Sequence, residues 1–289
     1  MSKDTRSGNG VILIIYNPEK KGTVELSSEI HDYLETRNID NDVCNSKSIP
    51  EKYLGKKHKL IITLGGDGTV LYCSRLFSPF DIPILAINFG EIGFITEIEK
   101  NNWKTSLESF INNTCMLKKH ILLKVSVFRD NKKEYEANCL NDSVITASGA
   151  AKIINLDVHV DNLYLGRYKA DGIIISTPTG STAYSAAAGG PLLYPEMDAF
   201  LLTPICPYSL SNRAIVLPVD KKIKIIIEKE QRVGIILTSD GQEIFNLKEN
   251  DSVVIEKSSY ITHIIKAEKD VFFSKVKTKL NWSGGPNNA

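Results

Sequence analysis

A glycine-rich turn with one acid at its centre is the part of this sequence most suggestive of chemistry. Residues 60–71 read LIITLGGDGTVL, an apolar run that leads into the turn GGDGT. Glycine has no β carbon and accepts positive φ, so such a turn lets a polyphosphate approach inward-pointing amides. Because a carboxylate is out of place in a turn that only binds phosphate, we interpret Asp67 as a base for a hydroxyl group or an indirect metal contact. The alternative is that Asp67 caps a helix beginning near Thr69.

A second glycine turn spans residues 88–95, with the sequence NFGEIGFI. Its two glycines permit close approach to the backbone, and the rings of Phe89 and Phe94 offer an aromatic surface for a base or a ribose. The alternatives are that Phe94 is a core residue and that Glu91 is a solvated loop charge.

The dipeptide Asn141-Asp142 follows a predicted strand that ends at Leu140. An amide donates and accepts hydrogen bonds, and a carboxylate accepts from hydroxyls, so this pair suits an adenine edge and a ribose diol. Asn-Asp is also common in ordinary turns, which is the alternative interpretation.

The longest polar stretch runs from Asp171 to Pro195 and reads DGIIISTPTGSTAYSAAAGGPLLYP. It has seven hydroxyl groups between residues 176 and 185, and we expect several of them to line a polar surface. The small residues at 186–190 allow close backbone packing or leave room for a ligand ring. Asp171 is a candidate acceptor for a carboxamide or a hydroxyl, and the alternative is a strand-edge carboxylate satisfied by neighbouring amides.

The composition limits the classes of function. The chain has 289 residues, of which 42% are hydrophobic, enough for two cores. Lys and Arg number 35 against 34 Asp and Glu, so the net charge of +1 provides no field for nucleic acid or an anionic membrane. The apolar runs are far shorter than the ~20 residues of a membrane span, and the first ten residues are polar, so we expect a cytoplasmic protein. Five scattered cysteines without a CxxC pair indicate reduced, mostly structural thiols.

The candidate residues lie in two regions of the chain that differ in their hydrophobic periodicity. Up to about residue 118, strand-like runs at 11–16, 59–64 and 84–88 alternate with helix-like segments, as in a parallel sheet with ligands at the strand ends. From about residue 122 the pattern has period two, which is typical of antiparallel strands.

We therefore predict an α/β + β fold. An N-terminal α/β parallel-sheet domain comprises residues 1–118, and an all-β, sandwich-like domain comprises residues 119–270. We expect residues 271–289 to return to the first domain, with a flexible end after Trp282.

Four segments together resemble the NAD kinases: GGDGT at 65–69, Asn141-Asp142, the stretch at 171–191, and TPICPYSLSNRAIVLP at 203–218. They occur in the family's order, and the similarity extends over most of the chain. GGDGT alone is less specific, because lipid kinases of the diacylglycerol and sphingosine type and phosphofructokinases have related turns.

The resemblance implies an enzyme that transfers a phosphoryl group from ATP, or in some members inorganic polyphosphate, to the 2′-hydroxyl of the adenosine ribose of NAD, forming NADP. It also implies Mg²⁺ or another divalent cation with ATP, and assembly into homodimers or homotetramers. The alternatives are a lipid or sugar kinase with the same turn, and a non-catalytic dinucleotide-binding sensor.

The resemblance also assigns roles to matching residues. Asp67 would be the base that faces the 2′-hydroxyl, with Gly66, Gly68 and Thr69 near the donor phosphates. Phe94 would lie beside the dinucleotide.

The remaining assigned positions contact the two ends of NAD. Those implied for the adenosine end are Asn141, Asp142, Thr179 and Thr182. Those implied for the nicotinamide side are Asp171, Ala183 and Tyr184.

The chain departs from the family pattern at three positions. Relatives most often have Glu where this chain has Asp142, and many have His in place of Tyr208 and Phe in place of Asn212. Because Asp142 is one methylene shorter than Glu, its contact is expected to be shifted or mediated by water. The role of the missing His does not carry over.

Overall fold

The computed structural model describes residues 10–54, 58–90, 93–149, 152–209, 211–267, 272–280 and 282. Contacts between residues divide the chain into two compact units. The first contains the described residues up to Lys119 and from Thr262 onward, and the second runs from His120 to Ile261. Glu91 and the predicted flexible end at 283–289 lie outside the described residues.

The first unit is organised around a parallel sheet with the strand order β2-β1-β3-β4. A short strand β5 and Ile264 both pair with β4 in parallel. The strands are β1 Val11–Tyr16, β2 Asn41–Asn45, β3 His58–Gly65, β4 Ile84–Asn88 and β5 Ile98–Glu99. The helices are α1 Thr23–Glu35, α2 Asp67–Phe77 and α3 Trp103–Ile111.

Burial explains why these segments form strands and helices. Residues 60–65 and all of β4 are buried, as expected for strands covered on both faces of a parallel sheet. Helix α1 buries residues at positions 23, 26, 27, 30 and 34, the spacing of one helical face. That face packs in one hydrophobic core with side chains from β1, β3, β4 and α3.

The second unit consists of antiparallel strands. One group has the order β10-β9-β14-β17, β6 pairs with β7, and a six-stranded sheet has the order β13-β12-β11-β8-β15-β16. One hydrophobic core contains side chains from both groups of strands. The strands are β6 Leu117–Arg129, β7 Lys132–Cys139, β8 Asp142–Ala147, β9 Ile154–Val160, β10 Leu163–Ala170, β11 Gly172–Ser176, β12 Ala199–Ile205, β13 Ile215–Pro218, β14 Ile223–Ile227, β15 Ile235–Ser239, β16 Glu243–Leu247 and β17 Ser252–Ile265.

Two short helices complete the description, α4 Tyr184–Ala187 in the second unit and α5 Phe272–Lys279 in the first. Single turns of 3₁₀ helix occur at Glu51–Tyr53, Ser78–Phe80, Lys100–Asn102 and Thr179–Thr182.

The predicted fold class is confirmed, since a parallel α/β unit is followed by antiparallel β structure. The sequence pattern misses six of the described strands, β2, β5, β8, β12, β13 and β16. Two of them, β8 and β12, show why. Every residue of β12 is buried, so the strand shows no alternation of apolar and polar residues, and it also contains Pro204. Strand β8 begins at Asp142, in a dipeptide that is typical of turns.

Candidate active site

Asp67 is the first residue of helix α2 and follows strand β3 after one intervening glycine. That glycine, Gly66, has an extended conformation with φ −106° and ψ −171° and forms the N-terminal boundary of the helix. Gly65, Gly66 and Gly68 all lie outside the positive-φ region, so it is the missing β carbon that matters in this turn. The capping alternative for Asp67 is wrong. Its carboxylate instead stands in the first turn, where the helix dipole favours negative charge.

The Asp67 carboxylate accepts four hydrogen bonds from residues 94–96, at the end of the second glycine turn. The backbone N–H of Phe94 donates to Oδ2 at 2.8 Å, and the N–H groups of Ile95 and Thr96 donate to Oδ1 at 3.2 and 3.0 Å. The hydroxyl of Thr96 also donates to Oδ1, at 2.9 Å. The structure therefore joins the two glycine turns into one site whose acid is held in a single orientation.

The glycines of the first turn serve two different purposes. A β carbon on Gly65 would lie 2.2 Å from Oγ1 of Thr69, so glycine is required there for helix α2 to pack against the end of β3. A β carbon on Gly66 would have no neighbour within 4 Å. The backbone in front of Asp67 is thus open, as a phosphate-binding turn requires.

Phe94 belongs to the site through its backbone N–H, which donates to Asp67, and through its aromatic ring. The side chain is half-buried, so part of the ring remains accessible. The Lys279 ammonium lies 5.7 Å from the centre of the ring, within the range of a cation–π contact.

A cavity of about 970 Å³ in the first unit was missed by the sequence analysis. Its lining includes Lys20 and Lys21, which precede helix α1, and residues 88–90 at the end of β4. Gly22 precedes α1 with φ 89° and no side-chain cap. The Thr23 N–H donates to the Lys20 carbonyl at 3.3 Å, so an anion could reach only the amides that follow in the first turn. The sequence feature that could have predicted this cavity is Lys20-Lys21-Gly22, two lysines and a glycine between strand β1 and helix α1.

This cavity is connected to the Asp67 site by one hydrogen-bonded pair. Asn88 lines the cavity, and its Oδ1 accepts from the Thr96 hydroxyl at 3.4 Å. The same hydroxyl donates to Asp67. A polyanion in the cavity would therefore have its end near the fixed carboxylate.

In the second unit, Asp142 is the buried first residue of β8 rather than part of a turn. The sequence analysis missed its neighbour Asp240, whose carboxylate accepts from the N–H groups of Leu140, Asn141 and Asp142 at 2.9, 2.7 and 3.1 Å. Burial, and secondarily the charge of Asp240, raises the pKa of Asp142 to about 7. Oδ1 of Asn141 is buried without a protein partner. The Asn141 amide oxygen is therefore an acceptor without a protein partner, and burial favours the protonated form of the Asp142 carboxyl group.

The turn at residues 177–180 packs directly on the Asn141-Asp142 segment. The Thr177 hydroxyl donates to the Leu140 carbonyl at 2.6 Å, and the Thr177 N–H donates to the Asn141 carbonyl at 2.9 Å. A β carbon on Gly180 would lie 2.1 Å from the Asn141 carbonyl oxygen. These contacts bring two of the predicted segments together within the second unit.

Most hydroxyls of this stretch do not line a surface, contrary to the expectation from sequence. Hydroxyl groups on Ser181 and Thr182 donate to nearby backbone carbonyls, and Thr179 pairs with Nδ1 of His120 at 2.9 Å. Hydrogen bonds to backbone and side-chain atoms compensate for the burial of most of these hydroxyls, whereas the Ser176 hydroxyl is buried without a protein partner. The buried members are Ser176, Thr177, Thr179, Ser181 and Ser185.

The residues predicted for the nicotinamide side are more accessible. Tyr184 is 48% exposed, and Ala183 and Asp171 are half-buried. The amides around Asp171 pair with other backbone groups, and none of the described residues donates to its carboxylate. The strand-edge alternative for Asp171 therefore has no support in the described contacts.

The described part of the chain contains no cluster of three or more His, Cys, Asp or Glu residues that could hold a metal ion. Among the same residues, no helix has the length and apolar character needed to cross a membrane.

The chain is similar to proteins of one family along most of its length. Residues 45–115 match the profile of the ATP-NAD kinase N-terminal domain, and residues 140–267 match that of the C-terminal domain. The NAD kinase of Treponema denticola is 42% identical over 276 residues, which cover 94% of this chain and 96% of the relative. The NAD kinase of Aquifex aeolicus is 35% identical over 271 residues, with coverage of 93% and 98%.

Two solved structures have the same fold. The yeast NADH kinase complexed with NADH superposes with a TM-score of 0.87 at 24% identity, covering 97% of this chain and 89% of the yeast chain. An NAD kinase from Archaeoglobus fulgidus in complex with ATP has a TM-score of 0.75 at 26% identity, with coverage of 92% and 98%.

Proposed function

The chain belongs to the NAD kinase family, and from that premise we propose that it transfers a phosphoryl group from ATP to the 2′-hydroxyl of the adenosine ribose of NAD, forming NADP. The observation that supports this most directly is the Asp67 carboxylate, fixed beside an open, glycine-rich backbone. A kinase for an alcohol needs an acceptor for the hydroxyl and a backbone that phosphate can approach.

Asp67 has room to accept one further hydrogen bond. A carboxylate oxygen accepts about two, and Oδ1 already accepts three, from Ile95 and from the backbone and side chain of Thr96. Oδ2 accepts one, from Phe94. We assign Oδ2 as the atom that accepts a hydrogen bond from the 2′-hydroxyl. The four existing hydrogen bonds hold the carboxylate in a fixed position.

Orientation is the main contribution expected from this residue. Phosphoryl transfer has a loose transition state with little bonding to the attacking oxygen, so alignment and neutralisation of spread charge dominate. In this assignment Asp67 aims the hydroxyl and accepts its proton late in the reaction.

We place the donor in the cavity next to Lys20 and Lys21. Lys20, Lys21 and Lys100 suit a triphosphate that arrives with Mg²⁺, since the cavity lining also carries the carboxylates of Glu25, Glu29 and Glu99. We assign Gly66, Gly68 and Thr69 to the reacting end of the triphosphate. Mg²⁺ enters as part of the donor complex, because this ion commonly retains waters and binds substrate phosphates rather than a protein cage. Inorganic polyphosphate offers the same chemistry and is the alternative donor.

We assign the two ends of NAD to the residues predicted for the adenosine end and to those predicted for the nicotinamide side. The Asn141 amide oxygen and the Asp142 carboxyl group, with Thr179 and Thr182, suit the adenosine end. The carboxylate of Asp171 suits the carboxamide of the nicotinamide, next to the exposed ring of Tyr184.

We also propose a homodimer or homotetramer in the cytoplasm. Leu163, Tyr164 and Leu165 expose 76, 59 and 40% of their surface in the hairpin of β9 and β10, an apolar patch suited to a second copy. All five cysteines are free thiols, as in a reducing compartment. Light scattering after gel filtration measures the assembly, and a monomer at micromolar concentration would contradict it.

The activity is tested with the purified full-length chain. Mg²⁺ is added with either ATP or polyphosphate, and NADP formed from NAD and NADPH formed from NADH are measured separately. We expect product from NAD with at least one donor. Absence of product with both donors would refute the proposed function, and phosphorylation of a lipid or sugar instead would identify a different kinase. Lys20→Ala with Lys21→Ala should raise the KM for the donor and leave the KM for NAD unchanged.

A further inference from the structure

The C-terminal helix α5 places a lysine in the interior of the first unit. Lys275 is only 4% exposed, and it lies between Phe272 and Val276, which are buried on the same helix. Burying an ammonium is costly, and an apolar residue at position 275 would dock the helix at lower cost. The position of this charge therefore indicates a purpose beyond packing.

The Lys275 ammonium and the Asp67 carboxylate bind opposite sides of one peptide group. Nζ of Lys275 donates to the carbonyl oxygen of Phe94 at 3.1 Å. The N–H of that same peptide group belongs to Ile95 and donates to Oδ1 of Asp67 at 3.2 Å. A cation on the carbonyl polarises the peptide and strengthens the hydrogen bond that its N–H donates.

The surroundings keep this lysine charged at neutral pH despite its burial. Burial lowers the pKa of Lys275 to about 8, and the nearby charges of Glu97 and Asp67 act in the opposite direction. Lys118 and Lys279 add to the decrease, although the Lys118 ammonium is itself paired with Glu97 at 2.7 Å. The ammonium form thus predominates up to about pH 8.

We propose that Lys275 is a positioning residue for phosphoryl transfer, which it supports by holding the Phe94–Ile95 peptide that fixes Asp67. The inference rests on the proposed function of Asp67. It assigns the C-terminal helix to the catalytic apparatus, although Lys275 touches neither substrate. Loss of the ammonium should loosen the second glycine turn and lower kcat, with little change in the KM for either substrate.

The first test compares Lys275→Met with Lys277→Met, a matched change at an exposed position of the same helix. We expect Lys275→Met to lose about 10-fold or more in kcat with KM values within about threefold of wild type. Lys277→Met should match wild type. Lys275→Gln removes the charge, and its amide nitrogen is one bond nearer the backbone than Nζ, so it should lose kcat as Lys275→Met does. This second variant keeps the test valid if the Met variant does not fold.

The second test is a double-mutant cycle with Asp67→Asn. If Lys275 acts through Asp67, Lys275→Met should cost much less in the Asp67→Asn protein than in wild type. An equal loss in both backgrounds would show a general structural role and overturn the proposal, as would full activity of Lys275→Met and Lys275→Gln. Inactivity of the wild-type protein would instead refute the proposed kinase function, so the two failures are distinguishable.

Discussion

A β carbon on Gly93 would lie 1.8 Å from Oδ1 of Asp67, so the carboxylate can take its observed position only because residue 93 is glycine. The close approach of Gly93 and Asp67 thus links the two glycine turns, in addition to the four hydrogen bonds. In the sequence, Gly93 is simply one of two glycines in its turn. Glycine is required at this position because of the Asp67 side chain, which lies 26 positions earlier in the chain.

Gly93→Ala should therefore displace Asp67 while the fold persists. Overpacking of a close contact costs roughly 1–3 kcal/mol in the free energy of unfolding. A displaced acceptor should lower turnover by roughly 10²-fold. Gly149→Ala is the matched control, because a β carbon there would have no neighbour within 4 Å. Thermal unfolding and steady-state NADP formation measure both effects, and a fully active Gly93→Ala enzyme would contradict the arrangement.

Asp67→Asn should fold and lose on the order of 10²-fold or more in turnover. An amide offers only one acceptor oxygen, and its NH₂ group would face at least one backbone N–H that now donates to the carboxylate. Asp32→Asn, an exposed change on helix α1, should have the activity of wild type. Near-normal turnover of purified Asp67→Asn would remove Asp67 from its assigned role.

The buried carboxyl group of Asp142 should make stability depend on pH. Its pKa is raised from 3.8 to about 7, mainly by burial, so the folded state favours the protonated form. Stability is therefore unaffected below about pH 4 and falls as pH rises towards 7, by on the order of 4 kcal/mol at most.

Asp142→Asn removes this dependence and should be more stable than wild type at pH 8. The difference in the free energy of unfolding between the two proteins should shrink towards pH 4.5, as measured by urea titration at both pH values. A difference that is the same at both pH values would show that Asp142 does not carry a raised pKa.

Turnover should fall as pH rises through about 8, because Lys275 then loses the proton that lets its ammonium hold the Phe94 carbonyl. The profile of kcat against pH between 6.5 and 9.5, measured at saturating substrates, should show this decrease in wild type and in Lys277→Met. The corresponding profile of Lys275→Met should be flatter over the same range. Identical profiles for wild type and Lys275→Met would contradict the assignment of that ionisation to Lys275.

The fold class and the family can both be inferred from the amino-acid sequence alone. Apolar runs alternating with helical periodicity specify a parallel sheet, and period-two patterns specify antiparallel strands, because each pattern reports local burial over a few residues. The turn GGDGT, the pair Asn141-Asp142 and the stretch at 171–191 are likewise contiguous in the chain. Their order is that of the NAD kinases, in agreement with the family profiles that the chain matches.

The hydrogen-bond partners of these motifs, in contrast, are visible only in the tertiary structure. Asp67 binds amides 27 to 29 positions away, Phe94 binds Lys275 at a separation of 181, and Asp240 supports Asn141 at a separation of 99. The same holds for the buried hydroxyls around Thr179, which the sequence placed at a surface. Hydrogen-bond partners and desolvation depend on what the whole chain brings near a group, and no local window of residues contains that information.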